Sequence, residues 1–202
     1  MDARLNDFPE VGKRLKTYRL AAGYTAETLA AAVSKKFPNS GVSRQLVFNI
    51  ENGRRRMDLS SLIEIARTIN VNPLSILCDL DRPFMRIESG SLSGLTPMGV
   101  CRLFGANEFS LCAKEGAPDA RQIKVVCTAI ELTNQVDSVK EIVESEDPEG
   151  SNTGLLFSWV SETNLLNALG VELPDAMKDI DSKARKIVTL ISSYINSVAY
   201  NE

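Results

Sequence analysis

GVSRQLVFNIENGRRR, residues 41–56, is the stretch whose reading decides the fold. On a 3.6-residue period Val42, Val47 and Ile50 share one face, which predicts burial, while Ser43, Arg44, Gln45, Phe48 and Asn49 project from the other. Ser43 suits an N-cap, because its hydroxyl can accept an orphan N–H of a helix starting at Arg44. Asn52-Gly53 supplies the stop, since both residue types tolerate the left-handed conformation, and Arg54, Arg55 and Arg56 follow at once. Such a helix, with a cationic loop after it, fits a DNA major groove about 12 Å wide, and Arg44, Gln45 and Asn49 can form bidentate hydrogen bonds with base edges. Taken alone, the stretch reads equally well as a solvated amphipathic surface helix.

Composition narrows the classes. The 202 residues fit one large domain or two small ones, and 44% hydrophobic with 24% charged residues is ordinary for a globular protein. The sequence shows neither an 18-residue apolar run nor an apolar stretch near Met1, so no membrane partner or secretory leader is expected, and the cytoplasm is the expected location. Histidine is absent and Cys78, Cys101, Cys112 and Cys127 are widely spaced, which leaves no zinc-type cluster and no histidine acid/base chemistry. The cysteines read as small core hydrophobes or as a redox switch. No cofactor, metal or catalytic residue is expected.

The net charge of −3 is unevenly spread. Residues 1–84 hold 13 Lys and Arg against 9 Asp and Glu, whereas 85–202 hold 10 against 17. Six cations (Lys35, Lys36, Arg44, Arg54, Arg55 and Arg56) fall within 35–56, beside one acid, Glu51. An anion-binding module joined to an acidic half is implied.

Around the central stretch, the periodicity predicts a helix over 8–22 with Asp7 as cap, Val11, Leu15 and Tyr18 inward and Gly23 as stop. A second starts at Thr25, with Leu29, Ala30, Val33 and Phe37 inward, before the turn Pro38-Asn39-Ser40-Gly41. A fourth runs over 59–69 behind Asp58, with Leu62, Ile63, Ile65, Ala66 and Ile69 inward, and Asn72-Pro73 opens a short fifth. Five short helices in about 75 residues, with a turn between the second and third, is a helix-turn-helix layout.

Through VGKRLKTYRLAAGYTAETLA and GVSRQLVFNIENGRRRMDLSSLIEIARTINVNPLSIL, residues 9–80 resemble the Cro/repressor-like, or xenobiotic response element, helix-turn-helix regulators. The resemblance implies base contacts from Ser43, Arg44, Gln45 and Asn49 to double-stranded DNA. It also implies phosphate contacts from Asn52 and the Arg54–Arg56 cluster, and a structural ion pair between Arg19 and Glu51. This chain departs from the pattern at Ala26, where many relatives carry a phosphate-binding glutamine. About seven residues (34–40) are inserted, lengthening the turn and bringing Lys35 and Lys36 near the DNA side. Leu46 and Phe48 either meet thymine methyl groups or pack against the inserted segment, with packing near Phe37 and Pro38 the favoured reading for Phe48.

Beyond the linker-like 89–99 the reading is coarser, and 100–117 shows no clear period. From Pro118, Val125, Ala129, Leu132, Val136, Val139 and Val143 alternate by four and three, widened by Ile123, Val126, Ile130 and Ile142. A helix over 155–169 carries Trp159, a core residue or the wall of a small-molecule pocket, and ends at Gly170. A last helix after Pro174 repeats Ile180, Ala184, Ile187, Ile191, Tyr194 and Val198. The two long helices are expected to pair with each other as a hairpin, or across a two-fold axis through Val125, Leu132, Val136, Val139, Ile187, Ile191 and Tyr194.

The expected molecule is all-α: a five-helix helix-turn-helix domain (1–84), a linker and irregular segment (85–117) and a C-terminal helical region (118–202) for dimerisation or partner binding. The expected function is that of a non-enzymatic, sequence-specific regulator, a repressor acting as a homodimer on an inverted repeat. Two alternatives stay open at this point: an antitoxin-like or phage-regulatory protein whose C-terminal half binds a protein partner, and a regulator sensing a small ligand through that half.

Overall fold

The computed structural model describes residues 8–88, 92–105, 116–145 and 153–199, with side chains over 10–193 of these. All regular structure among them is helical. The chain divides into two compact units, 1–126 and 127–202.

In the first unit α1 (Phe8–Ala21) packs on α3 (Arg44–Glu51) and on α5 (Pro73–Leu77), while α2 (Ala26–Lys36) packs on α3 and on α4 (Leu59–Ile69). Their apolar stripes meet in one core, with Leu15, Leu29, Val33, Val47, Ile65, Ala66 and Ile76 fully buried. Local chemistry sets the helix starts. Thr25 and Thr28 form a reciprocal capping box, Ser43 and Asp58 cap α3 and α4, and Asn72 caps α5 ahead of Pro73. The expected cap Asp7 lies outside the described residues. Ile63 departs from the expected stripe: its side chain is 39% exposed, because the buried face of α4 is already filled by Leu62, Ile65, Ala66 and Ile69.

Part of the expected linker is built into this unit. The Ile87 amide donates to the Leu95 carbonyl at 2.8 Å and the Ile87 carbonyl accepts from Gly94 at 2.9 Å, closing a loop before α6 (Pro97–Leu103), which Thr96 caps. The opening of α7 (Ala120–Glu144) also belongs here. Asp119, 2% exposed, accepts hydrogen bonds from the Asn72 amide and the Ser75 hydroxyl at 2.7 Å each, and Arg121 and Gln122 both reach Asp81. A buried carboxylate must be satisfied, and these donors from α5 hold residues 119–122 against the first unit. The division between the two compact units falls within α7, after residue 126.

Cys78 and Cys101 are buried free thiols; Cys78 Sγ donates to the Leu74 carbonyl at 3.3 Å, and the neighbouring Cys101 thiol together with burial pushes the Cys78 thiol well up. Cys127 is half-buried, and Cys112 lies outside the described residues.

In the second unit the close helix pair is α8 (Thr153–Ala168) with α9 (Asp175–Ala199), joined by a turn at Gly170, which takes φ +76. Asp181, nearly buried on α9, accepts from Thr163 at 2.7 Å and from Arg185 Nε at 2.7 Å, and Arg185 also donates to Thr163 and Asn164. This network staples α9 to α8, its closely packed partner in this unit. Trp159 is fully buried between Leu156 and Thr163 on the inner face of α8. Val125, Leu132 and Val139 are fully buried, while Val136, Ile187 and Ile191 are half-buried; the Tyr194 and Val198 side chains lie outside the described residues.

Candidate nucleic-acid interface

The candidate surface is built on α3. Ser43 adopts an extended backbone and its hydroxyl accepts the Leu46 amide at 3.2 Å, so the helix begins at Arg44. Val42, Leu46, Val47 and Ile50 face the core, leaving Arg44, Gln45 and Phe48 exposed and Asn49 half-exposed on the opposite side. Gln45 Nε2 donates to Asn49 Oδ1 at 3.2 Å, which lines up two amide side chains one turn apart. Two side-chain amides in register, with Arg44 beside them, can present the donors and acceptors that base edges match. Leu46 is 7% exposed, which removes it from any contact with thymine.

The helix ends differently from the expectation. Asn52 stays right-handed at φ −95, its side chain donating back to the Phe48 carbonyl at 2.7 Å, and Gly53 alone takes the left-handed turn at φ +66. The amides of Arg54 and Arg55 return to the Asn49 carbonyl, so the arginine loop folds directly under the last turn. Arg54, Arg55 and Arg56 are all exposed.

Phe48 is not drawn into the core with Phe37. It remains 46% exposed, with the Arg54 guanidinium 5.8 Å from its ring centre, while Phe37 is held between Lys36 and Arg67 at 5.9 and 5.3 Å. The reason is that the insertion is anchored elsewhere. Residues 34–36 extend α2, Phe37 packs against the core, and Ser40 bonds both Glu64 of α4 and the Val42 amide. Lys36 Nζ donates to the Arg67 carbonyl at 2.5 Å, which turns it toward the end of α4, while Lys35 is exposed.

α1 fixes the far end of α3. Arg19 donates to both Glu51 oxygens, at 2.5 and 2.9 Å, and to the Tyr24 carbonyl at 2.6 Å, with both charged side chains only 7% exposed. A bidentate pair with a third donor bonded to a carbonyl is a form in which buried charge is tolerated. Sequence reasoning missed Gly12: a Cβ there would lie 2.3 Å from the Ile50 carbonyl oxygen, so the backbones of α1 and α3 touch at this point. A glycine inside an otherwise regular helix was the available signal.

Two helices joined by a turn, the second presenting a polar face flanked by arginines and braced from behind by α1, define a helix-turn-helix DNA-binding domain. A family model described as helix-turn-helix matches residues 15–76. Over those residues the chain is similar to the Cro/C1-type, or xenobiotic response element, regulators, a likeness that supports a DNA-binding transcriptional regulator. No curated protein and no solved structure matches the chain. Among the described residues, no helix is long and apolar enough to cross a membrane.

Proposed function

We propose that the chain is a repressor that binds an inverted-repeat operator as a homodimer and acts by occluding a promoter. The observation that carries base-specific recognition is the exposed Arg44, Gln45 and Asn49 face of α3, built on a buried opposite face. In this reading Ser43 joins those three at the bases, and Asn52, Arg54, Arg55, Arg56 and Lys35 hold phosphates; Lys36 supports the turn instead. One such unit reads only a few base pairs, so pairing two units on half-sites about 34 Å apart multiplies specificity. The residues available for pairing are on α9, where Leu190 is 65% exposed beside half-buried Ile187 and Ile191. Val125, Leu132 and Val139 are already buried in the single chain and do not take part. Selection of sites from random duplex DNA by the full chain tests the reading. An inverted repeat with half-sites one helical turn apart is expected, and recovery of weak, sequence-independent binding alone would overturn it.

A further inference from the structure

The first unit also contains a cavity that DNA recognition does not use. It has a volume of about 530 Å³ and is bounded by the outer side of α1, the end of α5 and the segment leading into α6. Volumes of a few hundred Å³ with mainly apolar walls and few polar groups are typical of small-molecule sites. Val11, Leu77, Ile87, Leu92 and Phe104 supply the apolar walls here, all of them incompletely covered by the protein.

The charge at this cavity is specific. Arg14 is half-buried, and its partners are main-chain carbonyls: Nε donates to Ile76 at 2.9 Å and Nη2 to Leu77 at 2.7 Å. Those bonds orient the guanidinium, which makes no ion pair with a carboxylate among the described residues; Glu10 acts on it only at longer range. The nearby carboxylates are engaged elsewhere, Glu10 with Lys13 at 2.6 Å and Asp79 with Arg82 at 3.7 Å. Arg86 and Glu88, both exposed at the rim, offset each other in sign. A half-buried cation with no carboxylate in contact, set in an apolar wall, is complementary to one anionic group carried on a hydrocarbon body.

We propose that this cavity binds an amphipathic monoanion of the medium-chain carboxylate type, its head on Arg14 and its chain along Val11, Leu77 and Ile87. α1 carries Val11 and Arg14 at the cavity and Gly12 against α3, so an occupant bears on the helix that seats the recognition helix. The site is independent of Trp159 and of the C-terminal unit.

Calorimetric titration of the full chain with sodium octanoate, with octanol as the uncharged control, tests this. One saturable site per chain is expected, with octanol at least tenfold weaker. Arg14→Met and the cavity-filling Ile87→Trp should each weaken octanoate at least tenfold. If Arg14→Met fails to fold, Ile87→Trp and the octanol comparison on the unaltered chain still decide. No saturation, equal binding of octanol, or unchanged affinity in Ile87→Trp would overturn the proposal.

Discussion

Arg44, Glu51 and Gly12 do three different jobs along the same helix pair. Arg44 is exposed at the first helical position of α3, so Arg44→Ala should cost about 1–3 kcal/mol at the selected site and little on random DNA, measured by competition binding. Glu51 reaches no base in this arrangement; it neutralises Arg19. Glu51→Ala leaves a nearly buried guanidinium unpaired and should lower stability by about 3–5 kcal/mol, read from denaturant unfolding. Gly12→Ala gains about 1 kcal/mol of helix propensity, yet drives a methyl into the Ile50 carbonyl. The backbone of α3 must give way, so net destabilisation of about 1–3 kcal/mol is expected, with weaker DNA binding because α3 is displaced. The Arg19–Glu51 pair was legible through resemblance. The close approach at Gly12 was not, because the distance between two helix backbones is a property of their packing.

At the scale of elements, the helix starts were legible because a cap acts over three or four residues. Asp58 shows this: its carboxylate accepts the Ser61 amide at 2.9 Å and hydroxyl at 2.8 Å, and those bonds hold it below the ordinary carboxylate range. Asp58→Ala should therefore cost about 1 kcal/mol. Its folded pKa lies below the unfolded value, so the stabilisation is complete above about pH 4 and is lost as pH falls through the folded value. Thermal melts of wild type and Asp58→Ala between pH 2.5 and 7 should converge at the acid end; a constant gap across that range would contradict the role. Element partners were less legible. Periodicity marked the apolar faces of both long helices, but two matching seams do not say which face meets which. The Thr163, Asp181 and Arg185 network assigns α9 to α8, and it joins residues about twenty positions apart whose polar side chains carry no periodic signal.

On the whole molecule, the charge asymmetry predicts how binding responds to salt. Each phosphate contact adds about 0.9 to the slope of log affinity against log salt. Arg55→Ala, which leaves the Arg54 and Phe48 stack in place, should lower that slope by about one unit on every duplex tested; an unchanged slope removes Arg55 from the phosphate set. The proposed pairing through α9 gives a separate test. Leu190→Glu puts a charge among Ile187 and Ile191 and should shift sedimentation to the monomer while helicity is kept. A dimer of unchanged strength would move the interface elsewhere.

By itself the sequence determined the helical class, the caps of α3 and α4, the burial of Val42, Val47 and Ile50 opposite Arg44 and Gln45, and the clustering of cations after α3. All of these are set by contacts within a few residues along the chain. Only the tertiary structure decided that Leu46 is core while Phe48 stays exposed under Arg54, that Lys36 turns to α4, and that residues 119–122 join the first unit. It alone showed that α1 backs α3 through a glycine and leaves a cavity beside Arg14. Those outcomes depend on which surfaces meet across tens of residues, where many pairings bury similar apolar area. Steric fit and the satisfaction of a few buried charges select among them.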